Sequence, residues 1–430
     1  IFYGYSYAYI RNANDIRLFA SLSERAGYTI ITFNANASTV SVEKDLEGVT
    51  YKKGQEITLL ELCDIIDNID NAFDKYFEEA KIDKPRAKRM CGYTTWYNYY
   101  TSVTEEIVER DLEAIAKLGS KIDIFQVDDG YERTVGDWLY HDEKKFPSGM
   151  KLIADNIHKH DMLAGLWLAP FAATPKSYIY NKHKDWFVKN KNGKIPFASH
   201  NWGGFYALDI YNNEVRQYLK EVFDTVLNVW GYDMVKLDFL YACCIIPFNG
   251  KSRGEIMCDA MDLIRELCGD KLILGCGVPL APAFGKVDFC RIGADMALSW
   301  GKKPFSREDV STKHALLNTI FRRELDGRAF LNDPDVFLLR DNNIKMSFEQ
   351  RKLIAETASL FGNLLFVSDD VSTYNNNQKD CFINVTTRNK ADINYVNMDN
   401  DGDISIKYTL DGEKKGYCFN INSGDKKVLI

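Results

Sequence analysis

The spacing of hydrophobic positions changes several times along the chain. From residue 1 to about 54, apolar and polar residues alternate (FYGYSYAYI, YTIITF, TVSVEK), the period of antiparallel strands with one wet face. This predicts a partial N-terminal β-sandwich over 1–54. Because the pattern opens in mid-strand on IFYGYSYAYI, and on Ile1 rather than Met, earlier strands are expected to lie outside this sequence. Between Glu56 and Ala80, Leu59, Leu62, Ile66, Ile69, Phe73 and Phe77 recur at three and four, which predicts a helix in a linking region, 55–89. From Met90 the pattern becomes short, continuously apolar runs separated by helical stretches, as parallel strands buried on both faces require. Eight such runs begin near Cys91, Ile122, Leu163, Met234, Leu272, Phe289, Ala329 and Asn363.

One intervening helix starts at the capping signal Ser102-Val-Thr-Glu105, aligns Val108, Leu112 and Ile115, and stops at Gly119. Another follows Asn213 and carries Val215, Leu219, Val222, Val226 and Trp230 before Gly231. Eight buried strands with crossovers predict an α/β fold, a TIM (β/α)8 barrel over 90–373, in which the crossover GVPLAPAFGKVD is too short for a full helix. After about Tyr374 the helical period fades, and Ile404, Ile406, Tyr408 and Leu410 alternate ahead of Asp411-Gly412. A small C-terminal antiparallel β-domain over 374–430 is expected.

Barrel enzymes place their chemistry at the carboxyl ends of the strands, and all eight runs end in polar or aromatic residues. These ends are Trp96, Asp128-Asp129-Gly130, Trp167, Lys236 with Asp238, Cys276-Gly277, Arg291 with Asp295, Asn332-Asp-Pro-Asp335 and Asp369-Asp370. Taken singly, most have ordinary readings. Asp128-Asp129-Gly130 suits a turn, Asn332 to Asp335 a helix N-cap region, Asp369-Asp370 a solvated loop, the two Trp core packing, and Cys276 a small buried hydrophobe. Lys236-Leu-Asp238 resists such a reading, because residues two apart on a strand face the same side and a buried ion pair rarely stabilises by itself. Asp295, with Arg291 nearby, repeats the theme on the sixth run. Two carboxylates across a barrel mouth are what glycoside hydrolysis needs, one at the anomeric carbon and one protonating the leaving oxygen.

Composition narrows the alternatives. At 430 residues the chain exceeds one ordinary core, and its 46% hydrophobic and 27% charged content is that of a folded globular protein. A net charge of −7 without a Lys/Arg block argues against nucleic acid. No apolar run is long enough to span a bilayer, which argues against a membrane partner. Seven Trp and 24 Tyr suit a sugar ligand. The ten Cys show no metal-finger spacing and read as reduced thiols in a cytoplasm, and the triplets at Asn36 and Asn384 do not outweigh them. The six His are scattered, and His158-x-His160 falls on an outer helix, so no metal and no cofactor is expected. No GxSxG elbow, P-loop or dinucleotide fingerprint precedes a helix.

The segments GYTTWYNYY, FQVDDGYE with GDWL, GLWLAPF, NWGGFYALD, VKLDFLYA, LGCGVPLAPAFG, FCRIGADM and FLNDPD, in this order from about residue 90 to 370, together resemble glycoside hydrolase family 36, the α-galactosidases, especially its shorter bacterial members. The resemblance implies a β-sandwich, a TIM barrel and a C-terminal β-domain. The first domain is shorter here than in the family, so a residue it lends to the sugar site is expected to be absent. By motif, Asp238 would be the nucleophile and Asp295 the acid/base of a retaining hydrolase. Asp128 and Asp129 would hold the O4 and O6 hydroxyls of galactose, Lys236 and Arg291 would bind ring hydroxyls and orient the acids, Trp96 and Trp167 would line the pocket, and Cys276 and Gly277 would meet the 2-position. Asp238 is expected to be kept ionised by Lys236. The implied partner is an α-galactoside oligosaccharide. α-N-Acetylgalactosaminide hydrolysis, galactosyl transfer on the same site and a non-catalytic sugar-binding barrel remain open, and the oligomeric state is not specified.

Overall fold

The computed structural model describes residues 1–12, 15–301 and 310–429. At the N-terminus two three-stranded antiparallel sheets form, one ordered β1 (Phe2–Tyr5), β4 (Tyr28–Asn34), β5 (Thr39–Asp45) and the other β2 (Tyr7–Asn12), β3 (Asp15–Ser21), β6 (Leu62–Asn68). Strand β6 divides the helix expected over Glu56–Ala80. Cys63 and Ile65 are 5% and 9% exposed whereas Leu59 and Ile66 are 44% and 70% exposed, so period two governs this stretch and the three-four spacing across it is coincidental. The helix itself runs Ile69–Glu79, with the Asn68 side chain accepting the Asn71 N–H and Ala72, Phe73, Tyr76 and Phe77 facing inward.

The central sheet is a (β/α)8 barrel. Its strands are β7 (Met90–Thr94), β8 (Ile124–Val127), β9 (Leu163–Leu168), β13 (Met234–Leu237), β14 (Leu272–Gly275), β15 (Phe289–Arg291), β16 (Leu331–Asp333) with β17 (Val336–Phe337), and β18 (Leu364–Val367). All pair in parallel, in the order β16-β15-β14-β13-β9-β8-β7-β18-β17. The eight strands begin within two residues of the positions that hydrophobicity marks. The seventh is broken: Pro334, which lacks an N–H, and Asp335, at φ 79°, separate β16, paired with β15, from β17, paired with β18. The cylinder closes through this break, where the Asn363 N–H also donates to the Asn332 carbonyl at 2.9 Å.

After β9 the chain inserts a small antiparallel sheet on the carboxyl face, β10 (Ala172–Ala173), β11 (Phe197–Ser199) and β12 (Phe205–Ala207). The predicted helices occur at Glu105–Ala116, where Thr104 rather than Ser102 caps, and at Asn213–Asp224, continued by a π-turn to Val229. The fifth crossover holds only the one-turn helix Leu280–Ala283, as its length requires.

Helical structure persists past Tyr374, contrary to the sequence pattern. Asn376–Thr387 is a helix with an Asn375/Gln378 capping box, and its core face of Gln378, Cys381, Phe382 and Val385 has too few apolar residues to show a period. The C-terminal sheet follows as β19 (Asp392–Met398), β20 (Asp403–Leu410), β21 (Glu413–Asn420) and β22 (Lys426–Val428). Ile404, Ile406, Tyr408 and Leu410 are buried as the alternation predicts, and β20 turns into β21 at Asp411-Gly412. Among the described residues no helix is long and apolar enough to cross a membrane.

Candidate active site

Asp238 directly follows β13 and opens into a cavity of about 250 Å³ at the carboxyl ends of the barrel strands. Its Oδ1 accepts the backbone N–H of Phe239 at 2.7 Å and its Oδ2 accepts the Trp167 indole N–H at 3.2 Å. Phe239 adopts a left-handed conformation (φ 52°), which a bulky residue holds only under strain. Gly277, at φ 54°, lies behind this turn, where an added Cβ would stand 2.9 Å from the Phe239 nitrogen and 3.0 Å from Asp238 Oδ1. Cys276, buried beside it, donates its backbone N–H to the Leu237 carbonyl at 2.8 Å. Burial, reinforced by the negative charge of Asp238, pushes the Cys276 thiol well above its usual range, so it stays neutral. Cys276 and Gly277 therefore back the Asp238 turn, whereas Trp96, Asp128, Asp129, Trp167, Lys236, Asp238, Arg291 and Asp295 line the cavity.

Lys236 does face the barrel interior with Asp238, but its ion pair is made elsewhere. The ammonium lies 2.8 Å from Asp128 Oδ2, an oxygen that also accepts from Gln126 Nε2 at 2.6 Å. Burial is the largest influence and disfavours the lysine's charge, yet Asp128, with Cys276 and Asp238 adding to it, holds the Lys236 pKa above its ordinary value. Lys236 therefore acts on Asp238 through its charge at longer range, while the hydrogen-bond donors on Asp238 are an indole and an amide.

The Asp128-Asp129-Gly130 turn is built into the cavity wall, which both acids line. Gly130 has φ 119°, and a Cβ there would meet the Thr101 Cα at 2.7 Å. Asp129 Oδ2 accepts the indole N–H of Trp202 at 2.8 Å. Trp202, from the loop between β11 and β12, packs edge-on against Trp167 with ring centroids 5.9 Å apart.

Across the cavity Arg291 serves three carboxylates. Its guanidinium lies 2.9 Å from half-exposed Asp295, 3.2 Å from Asp333 and 2.7 Å from Asp335, the last two fully buried. Asn332 to Asp335 is accordingly no helix cap: its acids anchor this arginine. Asp335 Oδ2 also accepts from the Tyr97 hydroxyl at 2.5 Å and from the Met296 N–H at 2.6 Å, which fixes the residue after Asp295. Burial, only partly offset by Arg291, pushes the Asp335 carboxyl up to about 6. Asp369, expected in a solvated loop, is buried against Arg340 at 2.7 Å and accepts the Leu339 and Arg340 N–H groups.

Sequence reasoning missed Trp202, Tyr97, Asn201, Thr101 and Phe239, which also line the cavity. Trp202 stands in the NWGG segment, whose glycines mark a tight loop, but nothing in the spacing ties that loop to Asp129. Among the described residues no group of three His, Cys, Asp or Glu side chains is placed to hold a metal ion. His158 instead bonds Asp233 at 2.7 Å.

Residues 68–249 match the Melibiase family model, a span that contains Trp96, Asp128, Asp129, Trp167, Lys236 and Asp238 and ends before Arg291 and Asp295. The chain is 29% identical over 150 residues to α-galactosidase Mel36A of Lactobacillus acidophilus, covering 33% of this chain and 20% of that protein. It is 23% identical over 239 residues to an α-galactosidase of Escherichia coli, covering 53% and 32%. It thus spans a third or less of the length of these curated relatives. The solved α-galactosidase TtGalA from Thermus thermophilus superposes with a TM-score of 0.77 at 25% identity, over 96% of this chain and 80% of that one. The GH36 α-galactosidase AgaA of Geobacillus stearothermophilus shares the fold, with a TM-score of 0.65 at 15% identity over 97% and 63%. Residues 68–249 are therefore similar to the Melibiase family, and in fold and motifs the chain resembles the glycoside hydrolase family 36 α-galactosidases.

Proposed function

We propose that this protein is a retaining glycoside hydrolase that removes terminal α-linked galactose from oligosaccharides. The observation that carries this reading is the convergence of Asp238 and Asp295 on one small cavity whose lining also includes Asp128 and Asp129. The solved TtGalA structures with p-nitrophenyl α-D-galactopyranoside and with stachyose support the substrate class.

In this mechanism Asp238 attacks the anomeric carbon. Its two hydrogen bonds, from Trp167 and from the Phe239 amide, hold the carboxylate in one orientation. Asp295, half-exposed at the rim and held by Arg291, first protonates the leaving oxygen and then takes a proton from water. Two inversions give net retention, which calls for carboxyl groups roughly 5 to 5.5 Å apart rather than about 6.5 to 9.5 Å. Asp128 and Asp129 accept sugar hydroxyls, Trp96 and Trp167 shape the pocket for one ring, and Lys236 and Arg291 keep the facing acids oriented.

Asp238→Ala tests the reading directly: it abolishes hydrolysis of p-nitrophenyl α-galactoside while galactose still binds. Substantial residual hydrolysis would refute the assignment of the nucleophile. The buried thiol of Cys276 backs the Asp238 turn, and we place the 2-position of the sugar toward it. Paired assays with the N-acetylgalactosaminide decide between the two sugars.

A further inference from the structure

One buried acid just after the Asp128-Asp129-Gly130 turn takes no part in the chemistry above. Glu132 is enclosed two residues after Gly130; its Oε2 accepts the Gly130 N–H at 3.1 Å, and its carboxyl stands near enough to that of Asp129 for each to raise or lower the other's proton affinity. Asp129 Oδ2 is satisfied by Trp202, but Oδ1 is buried and meets no amide, amine or alcohol donor. An oxygen shut off from solvent is shut off from a ligand too, so its donor has to come from the protein, and a buried acceptor without one is costly. Two carboxylates cannot bond each other unless one keeps a proton.

The surroundings decide which one keeps it. Asp129 has an indole donor and lines the cavity, and although burial raises its carboxyl too, it raises that of Glu132 further. Glu132 has backbone amides alone, that of Gly130 and its own, and no ion pair among the described residues. The titratable groups around it include Asp128, paired with Lys236, Asp238 on the cavity, Lys145, whose ammonium is spent on the Thr101 and Gly130 carbonyls, and His141, which pairs with Glu132 through the backbone. The Tyr131 phenol next in the chain is buried and neutral. Burial first, then the negative charge of Asp129, pushes Glu132 well above the carboxylate range.

We propose that Glu132 is carried as a neutral acid whose O–H donates to Asp129, fixing the orientation and the single charge of the carboxylate that meets the sugar. Glu132 is then a positioning residue, and the identity of the ligand it serves rests on the galactosidase reading. The geometry resembles a clamp with one jaw: the indole holds one oxygen of Asp129 from the cavity side and Glu132 holds the other from behind.

Infrared difference spectra of the unliganded protein at neutral pH, unaltered against Glu132→Gln, test the protonation state without any substrate. A protonated-carboxyl C=O band present in the first and absent in the second is expected. Kinetics with p-nitrophenyl α-galactoside then test the positioning role. The Gln amide both donates to Asp129 and accepts from Gly130, so Glu132→Gln keeps KM within about threefold, whereas Glu132→Ala raises it about tenfold or more with a smaller change in kcat. Absence of the band, or a KM in Glu132→Gln as high as in Glu132→Ala, overturns the proposal. If the unaltered protein does not turn over the galactoside, the galactosidase reading falls while the infrared result still decides the state of Glu132.

Discussion

Lys236 reaches across the barrel to Asp128, 2.8 Å away, and leaves Asp238, two residues along its own strand, to neutral donors. Both members of the pair are buried. Lys236→Met strands the Asp128 carboxylate and is expected to cost about 3–5 kcal/mol of stability. Adding Asp128→Asn should return a large part of it, because the uncompensated charge is then gone. Urea unfolding of the single and double variants measures both effects.

The role of Asp295 is separable from that of Asp238 by leaving group. Asp295→Ala is expected to lower kcat on a natural α-galactoside by about 10²–10⁴-fold. A nitrophenyl galactoside, whose leaving group needs little protonation, should lose far less. Equal losses on the two substrates would remove the acid from the mechanism.

Trp202 contributes a donor as well as a ring. Trp202→Phe keeps much of the aromatic packing against Trp167 and Phe239 but removes the N–H on Asp129 Oδ2. Loss of a hydrogen bond to a charged group predicts a rise in KM of about tenfold, with kcat much less affected. Unchanged KM would mean that the indole serves packing alone.

Asp335 provides a pH signature. Its carboxyl stands at about 6 in the fold against an ordinary value of 3.8, so the folded state binds a proton more tightly than the unfolded chain. The contribution is fully present below pH 3.8 and is lost as pH rises through about 6. Asp335→Asn should abolish this component, so that its stability falls less between these limits than that of the unaltered protein. Thermal melts across that range compare the two slopes, and parallel slopes would contradict the assignment.

Much of the barrel is legible in the sequence because strands buried on both faces are largely apolar, and Leu163 to Leu168 or Leu364 to Val367 can hardly be anything else. The same logic exposes Asp238, since a charge at the end of such a run has no ordinary reason to be there. Leu62 to Asn68 misled because its apolar residues satisfy two periods at once, and only pairing with β3 selects the strand. The partners of charged groups are illegible for another reason: Lys236 and Asp128 are 108 residues apart, and Arg291 and Asp333 are 42 apart. Neighbourhood along a strand says which way a side chain points, not which acid across the barrel it finds.

The broken seventh strand has a consequence for how the molecule fails. Pro334 and Asp335 interrupt the hydrogen-bond ladder at the place where the sheet joins its own beginning, and Asp333 and Asp335 on either side of the proline grip Arg291. The seam of the cylinder and the anchor of the candidate acid/base are one structure. A fluctuation that parts β17 from β18 would therefore disarm the site while the remaining strands stay paired, so that under rising denaturant catalytic competence is lost before the barrel is.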